Sequence, residues 1–449
     1  MKNLTKSIYV TPIYLVAWAS FVVLTYQNFL KNLGYYNISY SLDNKYIFFP
    51  LVIAIFILPR FLNKVTVKKI VLFQITSLIL FNGGLLLIIY SVDPSIFLQA
   101  PDTGTYYNLY FHLFGCKENA LYECMNLYSL NHRLPSLPIV IALLSYVVKF
   151  EWVPVVFNFL VLAMWYLFPY FVYGKKQIMK AHYGTVLTSF FPLISVFGFL
   201  VLTDALFTII FWIWFIKLAR NSEVEKARLI PYVLVAIFLT LLRPEGILFV
   251  IIGTLLISLM VRSKLVILFG CILAQLIWGQ VQTTDLDRYL YVNIVPKTYQ
   301  YQQEIGYDEA REIANNEYKT KPYSIDTILR DQYPISVIEI IESQKKWIPA
   351  NIKFSWNKQY ENLPNAFFYF QYLYFAPFLI LGTIGLMTLE GRQKKLGQKI
   401  ALLSLCWILM SSIMGPVDIT RFNLFINLPV IIGLSNFAIK LEELIPKKR

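Results

Sequence analysis

Asp102 is a carboxylate in a chain that otherwise avoids charge, and it follows an apolar run in the segment Pro101-Asp-Thr-Gly-Thr-Tyr-Tyr107. Its neighbours Tyr106 and Tyr107 offer hydroxyl groups and aromatic faces, as a sugar-binding surface does. A carboxylate in such a polar loop could accept the proton of an acceptor hydroxyl as that hydroxyl attacks an anomeric carbon. The alternative is a solvated loop aspartate that forms an Asx turn with Gly104.

Further charged side chains lie at the ends of apolar runs. On insertion scales a charge near the centre of a membrane helix costs roughly 2.5–3.5 kcal/mol, so charges at segment ends on one face call for a role or a partner. Besides Asp102, these sites are His132 with Arg133, Asp204, Arg243 with Glu245, and Asp418 with Arg421. They are the candidate binding residues of the chain.

Each of these sites has a structural and a functional interpretation. Asp204 ends one apolar run as the next helix begins, which favours a helix N-cap. Arg243 and Glu245 flank Pro244, a residue suited to a first helical position, and could form a surface pair. A guanidinium at the bilayer edge is also well placed to bind a lipid phosphate, and Arg421 has the same position and the same two interpretations.

Metal and disulfide chemistry have weaker signals. Asp285 and Asp287 have the Asp-x-Asp spacing of a weak metal-binding motif. The three histidines are not spaced as a zinc ligand set, and we expect no cofactor. Cys116 and Cys124 share one polar loop, and the sequence is compatible with a disulfide between them or with two unpaired thiols.

The elements that must position these residues are membrane helices. The chain has 449 residues, 57% hydrophobic and 15% charged, which predicts an all-α polytopic membrane protein. About 12–13 apolar segments fall near residues 8–30, 46–59, 70–92, 134–149, 152–173, 183–203, 205–219, 229–242, 245–261, 265–283, 366–388, 400–417 and 423–440.

The net charge of +14 is concentrated in short links between these segments and at the C-terminus. This is the positive-inside pattern of cytoplasmic loops rather than a nucleic-acid surface, and it indicates contact with membrane lipids. With both chain ends basic, Asp102 and Asp204 are expected on the outer face. No nucleic acid is expected among the partners.

An odd number of segments conflicts with two cytoplasmic ends, and the conflict falls between residues 134 and 203. Either the runs from Leu134 to Tyr173 make one crossing with a re-entrant piece, which keeps Lys180 inside, or residues 183–203 form two half-helices around Pro192. The family resemblance described below favours the second alternative.

The predicted organisation has five parts. Membrane helices occupy residues 1–92 and are followed by an outer catalytic loop, 93–133. The membrane core comprises residues 134–283. An outer loop subdomain follows at 284–364, with helix-like pieces near 308–318 and 335–347, and the C-terminal membrane helices occupy 365–449.

Taken in order, Asp102, the His-Arg-x-Pro-x-x-Pro segment from His132, Leu202-Thr-Asp-Ala-Leu-Phe207, Leu241-Leu-Arg-Pro-Glu-Gly246 and the late Arg421 resemble the GT-C superfamily of integral membrane glycosyltransferases. The likeness is to the branch of protein O-mannosyltransferases and aminoarabinose transferases. It covers about Asp102 to Gly246 and the C-terminal arginine.

The resemblance implies an inverting, metal-independent transferase that takes a sugar from a polyprenyl-phosphate-linked donor. Asp102 would then be the catalytic base, Asp204 would shape the donor or acceptor pocket, and Arg243 with Arg421 would hold the lipid phosphate. Short helices before the Asp204 position, also a family trait, favour a break at Pro192. Arginines can stabilise a phosphate leaving group in place of a metal.

Two other functions stay open. An O-antigen or capsular polysaccharide polymerase would use Arg243, Arg421 and the loop 284–364 to hold two undecaprenyl-linked chains. A lipid-linked oligosaccharide transporter would carry paired ionisable residues within helices and internal symmetry. All three functions involve a glycan or a lipid, as acceptor or as cargo. All three also predict a multi-pass protein of the bacterial inner membrane whose site faces the periplasm or exterior.

Overall fold

A computed structural model of the chain describes residues 103–114, 134–174, 177–189, 203–221, 226–243, 245–281, 307–320, 376–413 and 419–444, with the single residues 296, 299, 303 and 305. Within these ranges the chain forms helices and turns and no strand. The α-helices are α1 Thr103–Phe114, α2 Ser136–Val147, α3 Val153–Tyr173, α4 Ile178–Ser189, α5 Thr203–Arg220, α6 Lys226–Thr240, α7 Gly246–Leu256, α8 Val261–Val281, α9 Tyr307–Thr320, α10 Ala376–Met387, α11 Arg392–Ile413 and α12 Ile419–Leu444.

Three of the described helices are long and apolar enough to cross a membrane: Phe150–Tyr173, Val261–Trp278 and Leu424–Leu441. The first has 24 residues, which at about 1.5 Å per residue spans about 36 Å, more than the hydrocarbon core of a bilayer. Helices α2 and α7 and the segment Leu229–Thr240 are shorter apolar helices. The prediction of a membrane protein built of helices is confirmed at this level.

The apolar runs predicted after residue 134 coincide with α2 to α8 and α10 to α12. Two helices begin well before their runs, α4 at Ile178 and α11 at Arg392. Lys and Gln are good helix formers, so the backbone hydrogen bonds continue into the basic links where hydropathy no longer marks them. Within the stretch 284–364, α9 confirms the predicted helix near 308–318, whereas the piece near 335–347 lies outside the described residues.

The expectation of a polar loop around Tyr106 and Tyr107 is wrong for residues 103–114. They form α1, whose face carrying Tyr106, Tyr107 and Tyr110 is buried. These tyrosines recur at positions i, i+1 and i+4, which in a helix lie on one side. The Gly104 in this stretch does not break the helix, because aromatic burial outweighs its cost of about 1 kcal/mol.

The ends of the helices define a basic rim on one side of the bundle. Arg220 closes α5 and donates to the Phe171 and Val172 carbonyls at the end of α3. Lys180 near the start of α4 donates to Asn436 of α12. The rim includes Lys180, Lys217, Arg220, Arg262, Lys264, Lys394, Lys395, Lys399 and Lys440. We call the opposite end, where α5 begins, the site end.

The rim bears on the two topologies predicted for residues 134–203. Trp165 of α3 donates to the Ala205 carbonyl near the site end, whereas Tyr173 at the end of α3 donates to the Ile432 carbonyl of α12. Helix α3 therefore runs towards the basic rim, and Lys180 lies at that rim. This favours the first alternative, in which the runs from Leu134 to Tyr173 make one crossing and α2 does not cross, over the two half-helices that the resemblance favoured. Pro192 lies outside the described residues.

Glycines bring α10 and α12 into close contact. A Cβ atom on Gly385 would collide with the backbone of Gly433, and one on Gly433 with the backbone of Gly382. Small residues at such positions let membrane helices approach closely and pack by dispersion forces. Asn436 extends the contact by donating to the Gly385 carbonyl at 2.9 Å.

An aromatic cluster fills the bundle between α5, α7, α11 and α12. The Trp407 and Phe425 rings stack with centroids 4.0 Å apart, and Phe249 lies 4.4 Å from Trp407. Phe207 of α5 stacks on Phe425 at 6.1 Å. Trp212 anchors the cluster by donating to the Phe425 carbonyl at 2.8 Å. Such pairs contribute about 0.5–1.5 kcal/mol each beyond area burial, so they fix the site end of these helices.

Candidate functional site

Three charged side chains meet where α5 begins and where α6 passes into α7. The Arg243 guanidinium donates from Nη1 to Asp204 Oδ1, and from Nη2 and Nε to Glu245 Oε1, with the Nε bond 2.7 Å long. The Arg243 and Asp204 side chains are 7% and 2% exposed, and Glu245 is 8% exposed. The cluster therefore holds one cation between two carboxylates, out of contact with bulk water.

The positions of these residues follow from the helix boundaries. Asp204 is the second residue of α5, in its first turn, where a carboxylate is stabilised by the helix dipole. It is not the N-cap that the sequence predicts, because the helix already includes Thr203. Arg243 follows the end of α6, and Glu245 is the N-cap residue of α7, without a side-chain cap bond.

The predicted pairing of Arg243 with Glu245 is confirmed. The pair is buried and not at the surface, and Arg243 also pairs with Asp204. Desolvated charges are expensive, and leaving one without its partner costs several kcal/mol more. The arrangement therefore fixes the Arg243 side chain against two carboxylates. A phosphate bound by this guanidinium would have to share it with Asp204 and Glu245.

Helix α1 reaches this site through Tyr106. The Tyr106 hydroxyl donates to Thr203 Oγ1 at 3.4 Å, one residue before Asp204. Trp165 donates from α3 to the Ala205 carbonyl, on the other side of Asp204 in the sequence. The first turn of α5 is thus tied to two other helices, and the candidate residue Tyr106 lies at the charged cluster.

Tyr107 has a different environment from its neighbour. It is 0% exposed, and its ring meets that of Phe150 edge to face at 5.7 Å. Burial raises the pKa of its hydroxyl, with a smaller contribution from Tyr110. The ring packs inside the protein in this conformation, so its face is not open to a sugar as the sequence suggests.

The entry to α2 lies beside the end of α6. Ser136 donates from its backbone nitrogen to the Leu241 carbonyl at 3.2 Å and from its hydroxyl to the Phe238 carbonyl at 2.9 Å. Leu134, which follows Arg133 in the sequence, is buried. His132 and Arg133 themselves lie outside the described residues.

Arg421 lies in the first turn of α12, one helical turn before Phe425. Phe425 stacks on Phe207, which itself lies one turn after Asp204. Because α5 and α12 run in the same direction from the site end, the backbone places Arg421 at the same end as the charged cluster. Among the described helices, α1, α2, α5, α7 and α12 begin at this end, and helix N-termini favour anions.

Other candidate residues lie outside the described part of the chain: Asp102, Asp285, Asp287, Asp418, Cys116 and Cys124. Asp102 immediately precedes α1 in the sequence. Among the residues that the structure describes, no three His, Cys, Asp or Glu side chains come together as a metal site.

Sequence reasoning missed Thr203, Trp165 and Ser136, which position the site. Ser136 alone had a local signal, since it follows Pro135 where an apolar run begins. The cluster of Phe207, Phe211 and Phe215 also had a local signal, because its i, i+4 spacing marks one helix face.

Comparisons of the chain with protein-family models, with curated protein sequences and with solved structures give no match.

Proposed function

We propose that the protein is a membrane glycosyltransferase that moves a sugar from a polyprenyl-phosphate-linked donor to a glycan or lipid acceptor at the site end. The observation that carries the proposal is the buried Asp204, Arg243 and Glu245 cluster. Charges held inside an apolar helical bundle mark functional sites, because folding alone gains little from them.

Chemical roles follow from the position of each group. Asp102, directly before α1, would take the proton of the acceptor hydroxyl as its oxygen bonds to the anomeric carbon. The bond between that carbon and the donor phosphate oxygen breaks, and the phosphate leaves with the electron pair. Attack opposite the leaving group inverts the configuration. The transferred proton ends on the Asp102 carboxylate, so charge and atoms balance.

The phosphate is the group that the site end is best suited to bind. Among the described helices, α1, α2, α5, α7 and α12 have their N-terminal ends there, and Arg421 is in the first turn of α12. Because Arg243 already donates to two carboxylates, we assign it the role of orienting Asp204 and Glu245 towards the sugar. Arg421 then becomes the main candidate for stabilising the leaving phosphate.

The side of the membrane is part of the proposal. The basic rim opposite the site end matches the positive-inside rule, which would put the site on the periplasmic or exterior face of a bacterial inner membrane. Within that orientation the donor lipid would lie in the outer leaflet with its phosphate at the site end.

A lipid-linked oligosaccharide transporter is the second candidate, and the same cluster favours it. Transporters carry paired ionisable residues inside helical bundles. The burial of Asp204 with Arg243 fits that pattern better than the position at the ends of apolar runs that the sequence predicts. A transporter would move the donor without breaking its phosphate bond.

The test uses the full-length protein in proteoliposomes with synthetic polyprenyl-phosphate sugars. We expect sugar transfer with release of polyprenyl phosphate, and a loss of about 10²-fold or more in Asp102→Asn. Asp93→Asn, the same change in the same polar stretch, serves as the control and should keep its activity. Full turnover in Asp102→Asn removes Asp102 from catalysis.

Two other outcomes overturn the transferase. Elongation of lipid-linked repeat units, without use of monophosphate donors, identifies a polymerase. Movement of intact donor across the bilayer, with no transfer, identifies a transporter.

A further inference from the structure

A cluster of three lysines lies on the basic rim, away from the site described above. Lys264 is in the first turn of α8, and Lys395 and Lys399 lie one turn apart in α11. Partial burial lowers the pKa of Lys399, and the charges of Lys264 and Lys395 lower it further. Lys399 is therefore close enough to both other ammonium groups to be repelled by each of them, although Lys264 comes from a helix far away in the sequence.

Two of the lysines are held in place by the connection between α7 and α8. Lys264 donates to the Leu255 carbonyl at 3.0 Å, near the end of α7, and Lys399 donates to the Ser258 hydroxyl at 3.3 Å. These bonds keep both ammonium groups at the cluster despite their repulsion. The fold thus maintains a local concentration of positive charge.

In the described part of the chain none of the three lysines forms an ion pair, and the ion pairs there belong to Arg243 and Lys440. The contrast within the rim is informative, since Lys440 lies 2.8 Å from Glu390. The repulsion among the three lysines is not offset in the same way.

The surface next to the cluster is largely apolar. Met260 and Val261, which precede Arg262, Ser263 and Lys264, are 64% and 72% exposed, and Leu255, Leu265 and Leu402 are exposed as well. Arg262 is also exposed and adds a further positive charge to this surface. Exposed aliphatic side chains beside fixed ammonium groups match the two parts of a phospholipid, acyl chains and a charged headgroup. A freely soluble anion would make no use of the apolar part.

We propose that Lys264, Lys395 and Lys399 bind the headgroup of an anionic phospholipid in the leaflet at the basic rim. The phosphodiester accepts hydrogen bonds from the lysine ammonium groups, and the acyl chains lie along the exposed aliphatic side chains of α7 and α8. The single negative charge of the phosphodiester reduces the repulsion within the cluster, and the bound lipid holds the connection between α7 and α8 against α11. The site is separate from the proposed transferase reaction and does not depend on it.

The test titrates purified full-length protein in neutral detergent with phosphatidylglycerol in mixed micelles, followed by calorimetry. Each basic residue near a membrane surface contributes about fivefold in affinity for an anionic lipid. Lys264→Gln/Lys399→Gln should therefore bind about 25-fold more weakly. Lys217→Gln/Lys440→Gln removes the same charge from the same rim and should change affinity less than threefold.

Several outcomes overturn the proposal. Equal losses in the two double variants show unspecific attraction to the rim. Equal binding of phosphatidylcholine shows that charge has no part, and equally tight binding of inorganic phosphate shows a soluble anion as the ligand. Should the double variant not fold, Lys395→Gln, on an exposed position, decides the matter by a loss of about fivefold or none.

Discussion

Arg243 and Asp204 lie 39 residues apart in the chain and form an ion pair in which both side chains are buried. The pair joins the start of α5 to the end of α6. Glu245 adds a second carboxylate to the same guanidinium at the start of α7. One side chain thus connects three helix ends, which makes its loss the most informative change in the described structure.

Replacing Arg243 with methionine should destabilise the protein by about 3–5 kcal/mol, because two carboxylates stay buried without a counter-charge. Unfolding in a single detergent measures the change. Lys440→Met breaks the exposed pair with Glu390 and should cost about 0–1 kcal/mol. Arg243→Lys should recover only part of the stability, because an ammonium lacks the planar fork that reaches both carboxylates. Equal effects of Arg243→Met and Lys440→Met would contradict the structural role.

Tyr106→Phe tests whether α1 is positioned by its bond to Thr203. Removing one hydroxyl should cost about 0.5–1.5 kcal/mol of stability. Tyr110→Phe is the matched control, since Tyr110 lies in the same helix as Tyr106 and its hydroxyl makes a hydrogen bond of the same length, 3.4 Å, to Ser145 of α2. If α1 presents Asp102 to the reaction, Tyr106→Phe should reduce sugar transfer several-fold more than Tyr110→Phe. Indistinguishable activities would separate Tyr106 from the site.

Gly385→Ala should impair the packing of α10 on α12, because its new Cβ would collide with the Gly433 backbone, which cannot move aside. We expect a loss of about 1–3 kcal/mol or failure to fold. Gly270→Ala in α8 is the control, as its Cβ would meet the Val233 side chain at 3.1 Å, which has more freedom to adjust. Thermal unfolding in detergent distinguishes them, and similar melting temperatures would argue against a tight α10 and α12 contact.

Cysteine labelling tests the orientation of the bundle. Lys149 lies beyond the site end, in the turn before α3, and Lys394 lies on the basic rim. With the native cysteines replaced by serine, Lys149→Cys and Lys394→Cys should react with an impermeant maleimide from opposite sides of the membrane. In intact bacterial cells we expect only Lys149→Cys to react. Labelling of both from one side would refute the single crossing between α2 and the rim.

Helix positions could be predicted from the sequence because hydropathy runs mark what must be buried or lipid-facing. The runs near 205–219 and 423–440 match α5 and α12 within a few residues. Hydropathy says less about direction, so the position of Lys180 at the rim became evident only from its bond to Asn436. The contact is between residues 256 apart, which no local pattern indicates.

The candidate site was predictable by residue type but not by pairing. Charges at the ends of apolar runs picked out Asp204, Arg243 and Glu245, yet the local spacing suggested an N-cap and a surface pair. The ion pair between Asp204 and Arg243 depends on the antiparallel packing of α5 and α6, which no local sequence pattern indicates. Likewise, Tyr106 and Tyr107 look equivalent in the sequence, and only the packing of α1 against Phe150 gives them different environments.

The glycine contact between α10 and α12 limits how the protein can move. Backbones that touch at Gly382, Gly385 and Gly433 cannot slide past each other without separating, so the two helices translate and rotate as one body. A gate for the lipid chain of the proposed donor would therefore have to open along another seam. Helix α8 contains the least buried of the three candidate spans, with 17% of Val261–Trp278 buried, and its borders offer such a seam.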